Sequence, residues 1–296
     1  MASVRTPAGL DIEYETYGVP GDPAILLVMG LSMQLIAWPR EFCQRLADAG
    51  RFVICYDNRD CGLSTKCHEQ PVDLGQIIAK LSAGDFASAS QLAPYSIADM
   101  AGDGIALLDG LGLAQAHVVG SSMGGVIAQT MAIQHPDRVL TLTSMMSATG
   151  EPEYGQSTPE AMSALMTPAP SDRAGYINAA TRTRIWSSKK YFDERAAMQL
   201  AAESYDRSHY PAGASRQIAA LITCPSRADR LRTLSVPTLV IHGLDDTLVA
   251  PSGGERTADL VPDARLLLIE DMGHDRPVQL WPQICGAIIE HTADGR

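Results

Sequence analysis

Val119-Gly120-Ser121-Ser122-Met123-Gly124 is the stretch that decides how this chain reads. Residues 116 to 119 have the composition of a short buried strand, and Met123 to Gln134 has that of a helix. Between them lies G-x-S-x-G with Ser122 at its centre. A strand that turns at once into a helix holds its central residue in a strained conformation, and bulky neighbours on either side would collide. The strain lifts the serine oxygen off the sheet, and the N–H groups that follow open a helix, where negative charge is stabilised. A nucleophilic serine is built at such a place.

A serine hydroxyl is a poor nucleophile until a base takes its proton, and a third group must orient that base. Toward the C-terminus, Val236-Pro237-Thr238-Leu239-Val240-Ile241-His242-Gly243 reads as a buried strand and turn, followed by Leu244-Asp245-Asp246. A second apolar strand, Arg265 to Ile269, leads to Met272-Gly273-His274. Serine, acid and histidine therefore each follow a strand, at the carboxyl edge where parallel sheets place their ligands.

The features just quoted resemble the α/β-hydrolases, in particular the esterase group that includes aclacinomycin methylesterase and the LipG-type mycobacterial esterases. The resemblance runs nearly end to end. It also includes Leu27-Val28-Met29-Gly30, Tyr56-Asp57-Asn58-Arg59-Asp60-Cys61-Gly62-Leu63-Ser64 and Met272-Gly273-His274-Asp275. It implies an α/β fold with a mostly parallel central sheet flanked by helices and a helical cap inserted after the sixth strand. It also implies a catalytic triad of Ser122, His274 and Asp246. Asp246 fits the family pattern G-x-x-D, and Asp245 stays open as the alternative acid. The oxyanion hole takes its donors from the backbone N–H groups of Met123 and Leu31. The family pattern makes Asp57 and Arg59, with Gly62 and Ser64, braces of the loop beneath the site. No His-Gly-Gly-Gly run is present, which argues against the hormone-sensitive-lipase branch.

Composition agrees with an enzyme working on small molecules. The 296 residues suffice for one α/β domain with an insertion. Lys plus Arg number 23 against 34 Asp plus Glu, a net charge of -11 that repels phosphate backbones and argues against a nucleic-acid partner. The apolar run Ala24 to Met29 is too short for an integral membrane segment, and Met1 to Pro7 has no secretory core, so the expected location is cytoplasmic. Six cysteines lie scattered without metal-ligand spacing, and no phosphate loop occurs. No cofactor and no metal is expected.

Leu10 to Tyr17 alternates as a half-exposed strand near a sheet edge does. Residues 66 to 94 read as an irregular excursion. From Ala148 to Thr233 the β/α alternation breaks into four helical patterns: Pro159 to Met166, Ala174 to Trp186, Asp193 to Ser208 and Ala214 to Leu221. The expected division is a core of residues 1–147 and 234–296, with 148–233 as the cap. Gly30, Met33, Met145, Tyr205 and His209 are the candidate lining of the substrate pocket, since methionine suits adaptable apolar space and the Tyr205 to His209 tips are amphipathic. Met123 and Met146, with Met162, Met166 and Met198 of the cap, extend that methionine set, although ordinary core filling explains it equally well. The expected activity is hydrolysis of small to medium esters through an acyl-enzyme. Lactones, thioesters and polyketide methyl esters are alternative substrates, and a non-catalytic ligand receptor is the rival from another class.

Overall fold

The computed structural model describes residues 2–293. In chain order its elements are β1 (Ala2–Arg5), β2 (Asp11–Tyr17), β3 (Ala24–Val28), α1 (Arg40–Asp48), β4 (Phe52–Tyr56), α2 (Leu74–Ser82), α3 (Phe86–Gln91), α4 (Ile97–Gly110), β5 (Ala116–Ser121), α5 (Met123–Gln134) and β6 (Val139–Met145). Then come α6 (Pro159–Met166), α7 (Arg173–Ala179), α8 (Glu194–Arg207), α9 (Ala212–Ile222), α10 (Ala228–Leu231), β7 (Thr238–Gly243), α11 (Ser252–Leu260), β8 (Arg265–Ile269) and α12 (Trp281–Ala293). The strands form one sheet in the order β1-β2-β4-β3-β5-β6-β7-β8. From β4 to β8 all pairings are parallel, and β1 and β2 add an antiparallel margin.

Strands β3 and β4 are apolar throughout and buried throughout, because helices cover both faces of the sheet. Alternate side chains serve opposite faces. Leu26 and Val28 join Ile54, Val118 and the α5 residues Ile127 and Met131 in one core. Ile25 and Leu27 join Val53, Val119, Phe42 and Leu46 of α1, and Ile284 and Ile288 of α12 in the other.

The chain enters the parallel part of the sheet at β3, moves to β4 on one side, then crosses to β5 on the other. That reversal leaves a crevice at the carboxyl ends of β3 and β5, the switch point where open α/β sheets bind ligands. The segment Met29-Gly30-Leu31 leaves β3 there, and Ser122 leaves β5 beside it.

Two expectations need correction. The 66–94 stretch is not irregular: it holds α2 and α3, each started by an aspartate (Asp73, Asp85) whose side chain accepts a helix N–H. β2 lies near the sheet edge as expected, with β1 outside it. The Ala174 to Trp186 pattern divides into α7 and a 3-10 turn over Ala180–Ile185. The insertion does follow β6, where α6 to α9 precede β7 without an intervening strand.

Candidate active site

Ser122 stands between β5 and α5 with φ 58° and ψ -123°, a left-handed conformation that L-residues rarely adopt. The turn is tight enough to dictate its neighbours. A Cβ on Gly120 would lie 2.1 Å from the Gly124 carbonyl oxygen, and one on Gly124 would lie 2.1 Å from that of Val28. Either change forces backbone apart, so both flanking positions require glycine. The Ser122 N–H is held by the Met145 carbonyl at 2.9 Å, which ties the elbow to β6.

His274 Nε2 lies 2.8 Å from Ser122 Oγ, and His274 Nδ1 lies 2.6 Å from Asp246 Oδ2. Asp246 Oδ1 accepts the N–H groups of Leu248 and Val249 at 2.9 and 2.8 Å, which fixes the carboxylate plane. His242 Nε2 approaches Asp246 Oδ2 at 3.4 Å while lying 2.8 Å from the Val249 carbonyl oxygen. Burial alone would push the Asp246 carboxyl up, but attraction to His274 and hydrogen bonds from His242 and His274 outweigh it and hold the group at about 2. The alternative acid turns elsewhere: Asp245 pairs with Lys189 at 3.1 Å. The histidine loop is anchored by its own backbone, the His274 N–H donating to the Trp186 carbonyl at 2.6 Å. Asp275 Oδ1 receives the N–H groups of Ser188 and Gly273.

The N–H groups of Met123 and Leu31 donate to no acceptor among the described residues. Gly30 lies directly against the serine, since a Cβ there would sit 3.1 Å from Ser122 Cβ and 3.6 Å from its Oγ. The next residues are well fixed: Ser32 N–H donates to Gln217 of α9, and Gln34 donates to the Ser204 and Ser208 carbonyls at the end of α8.

A cavity of about 170 Å³ opens beside Ser122 and Met123, bounded by Val126, Ala148, Leu221 and Val249 with Arg227 at its polar end. The remaining pocket candidates lie outside this lining. Met145 is a correction: its side chain is fully buried in the core on the α1/α12 side, because the last residue of a strand faces one side only, and what it offers the site is its carbonyl. Met33 is 40% exposed. Tyr205 and His209 stack on each other at 4.2 Å and meet Tyr176 edge-on or tilted, with the Tyr205 hydroxyl donating to the Ser171 carbonyl. These rings pack on one another among the inserted helices.

Asp57 and Arg59 do brace the loop. Asp57 accepts the N–H groups of Leu35 and Leu63 and pairs with Arg207 of α8, while Arg59 forks onto the buried Asp103 of α4. Arg276 is a residue the sequence did not flag. It donates to Ser121 Oγ at 2.7 Å and to the Ala37 carbonyl at 3.0 Å, and its guanidinium lies 4.4 Å from the Trp38 ring centroid. It thus links the histidine loop, the elbow and the loop after β3. Only its place two residues after His274 hinted at this.

The parallel sheet, the elbow and the strand-end acid and histidine define a hydrolase of the carboxylesterase type. Residues 23–276 match the family model for the alpha/beta hydrolase fold, and the chain belongs to that family. Among known proteins it is 31% identical to the rhodomycin D methylesterase of Streptomyces peucetius, over 94% of this chain and 93% of that one. A solved structure described as an N-acyl homoserine lactone degrading enzyme, Est816, is 26% identical with a TM-score of 0.69, covering 96% of this chain and 99% of its own. The enol-lactonase of Burkholderia xenovorans shares the fold at a TM-score of 0.74 and 21% identity, over 99% of this chain and 100% of that chain. No helix among the described residues is long and apolar enough to cross a membrane.

Proposed function

We propose that the chain is a serine carboxylic-ester hydrolase that works through an acyl-enzyme on Ser122. The observation that carries this reading is the unbroken hydrogen-bonded series from Ser122 Oγ through both His274 nitrogens to Asp246, at 2.8 and 2.6 Å. Ser122 Oγ attacks the ester carbonyl carbon as His274 Nε2 takes its proton, and Asp246 stabilises the resulting imidazolium. The carbonyl oxygen, now an oxyanion, is received by the N–H groups of Met123 and Leu31, which have no other acceptor among the described residues. Collapse expels the alcohol with the proton from His274. Water then repeats the cycle on the acyl-enzyme and frees Ser122. These steps use side chains and backbone alone.

Residues 148–233 form, in this reading, a helical cap on the remaining core. Leu221 and Arg227 bring that segment to the cavity beside the serine. The cavity favours a small group on the side of the ester it receives. A methyl ester as large as rhodomycin D, for which the Streptomyces relative is named, would extend well outside it.

The test combines a fluorophosphonate probe with a series of p-nitrophenyl esters of increasing acyl length. Labelling of Ser122 together with repeated turnover is expected. One stoichiometric labelling event without turnover of any ester overturns the proposal in favour of a ligand receptor.

A further inference from the structure

Three enclosed arginines in this protein have a carboxylate: Arg59 has Asp103, Arg207 has Asp57, and Arg216 has Asp60. Arg227, like Arg276 of the histidine loop, bonds to neutral groups, but Arg227 alone of these lines the cavity beside Ser122. It is 7% exposed, it lines the same cavity as Ser122, and its three hydrogen bonds all go to neutral groups. Nε donates to Gln129 Oε1 at 2.9 Å, Nη2 to the Ala148 carbonyl at 2.7 Å and Nη1 to Cys224 Sγ at 3.1 Å. A guanidinium has five N–H donors and stays charged in proteins. Two of those donors therefore lack an acceptor among the described residues.

Anchoring alone does not account for this arrangement. A buried charge without a counter-charge is costly, and a neutral glutamine or methionine would tie Gln129 or fill the wall more cheaply. The guanidinium end faces Gly150, also in the lining, where a Cβ would sit 3.5 and 3.6 Å from Nη1 and Nη2. A second polar group of the same wall, the buried Ser147 hydroxyl, likewise has no hydrogen-bond partner. Apart from Ser122 itself, the rest of the lining named above is apolar. A cationic end on an otherwise greasy slot fits a ligand with an apolar stem and an anionic tip.

We infer that the cavity beside Ser122 receives a carboxylate-bearing arm of the ester, with Arg227 as its counter-ion; this rests on the ester-hydrolase reading above. The cavity of about 170 Å³ suits a short arm, such as a short carbon chain ending in a carboxylate. The substrate class is then a half-ester of a short dicarboxylic acid, or an ester of a short hydroxy acid, depending on which side of the scissile bond occupies the slot. Arg227 acts here as a specificity residue and takes no part in bond making.

Two matched pairs of esters test this. Monomethyl glutarate against methyl pentanoate places the carboxylate on the acyl side, and 4-acetoxybutyrate against butyl acetate places it on the alcohol side. The wild-type enzyme is expected to favour the charged member of one pair by about tenfold or more in kcat/KM, the scale of a charge-assisted hydrogen bond. Arg227→Met should erase that preference, and Arg227→Lys should restore part of it. Absence of preference in both wild-type pairs overturns the inference, and that measurement needs no variant to fold. So does a preference that survives Arg227→Met, or an equal loss on charged and neutral esters. Turnover of the neutral esters keeps the two readings apart: neutral turnover without carboxylate preference sinks only the role of Arg227, whereas no ester turnover at all sinks both.

Discussion

Replacing Asp246 with asparagine should cripple the enzyme through the tautomer of a neighbouring ring. Asp246 Oδ1 is claimed by two backbone donors, Leu248 N–H and Val249 N–H, whereas Oδ2 faces His274 Nδ1 at 2.6 Å. An asparagine in this socket has one oxygen, and the two backbone N–H groups dictate that it take the Oδ1 position. Its NH₂ group then points at His274 Nδ1, which must become the acceptor. The imidazole proton moves to Nε2, the nitrogen 2.8 Å from Ser122 Oγ, and the base can no longer accept the serine proton. Losses of roughly 10⁴ in kcat, or about 5 kcal/mol of activation free energy, accompany such a change. The assay is steady-state turnover of a p-nitrophenyl ester, with circular dichroism showing an intact fold. Asp245→Asn, which disturbs only a pair with the exposed Lys189, should cost less than about threefold. Comparable losses at both positions would refute the tautomer argument, as would an Asp246→Asn enzyme that keeps a tenth of its rate.

Ser122→Ala should reduce turnover by up to about 10⁶, while Ser121→Ala, which loses a hydrogen bond from Arg276, should cost far less; active-site titration with a fluorophosphonate separates them. Leu221→Phe should shorten the longest chain accepted on whichever side of the ester the cavity receives and shift ester ratios several-fold, on the scale of about 1–3 kcal/mol for a pocket change, whereas His209→Ala should leave the chain-length profile alone. Acid should weaken the fold through Asp246. Its folded carboxyl titrates at about 2 against 3.8 for the free group, so its contribution is complete above that ordinary value and disappears as the pH falls toward 2. Urea unfolding between pH 5 and pH 2 should show the wild type losing roughly 2 kcal/mol more than Asp246→Asn.

The elements that position the reaction were legible because each is forced locally. Strand β3, the G-x-S-x-G turn and the helix Met123–Gln134 announce themselves through continuous apolar burial and through glycines no other residue replaces. Helices α2 and α3 were missed because Ala, Ser and Gly dilute their apolar faces, and their stability comes from caps and from packing on α9 that no local pattern displays. The pocket was the least legible part. Leu221 and Arg227 meet Ser122 from one distant stretch of chain and Val249 from another, and only the tertiary fold brings them to one wall. Tyr205 and His209 present the opposite case. Their dense polar tips suggested a lining, whereas the contacts that the fold gives these rings lie within the insertion.

The two buried ion pairs that join the inserted helices to the loop after β4, Arg207–Asp57 and Arg216–Asp60, also set a limit on traffic. Swinging α8 and α9 away from that loop strands two aspartates whose side chains are 0% exposed, and breaking such a pair costs about 3–5 kcal/mol each. Even the lower figure for both leaves the detached state at roughly one molecule in 10⁴. α8 and α9 therefore keep their station over the loop after β4, whereas the exposed pairs Arg173–Asp206 and Arg184–Glu194, which tie parts of the insertion to one another, add little to its rigidity.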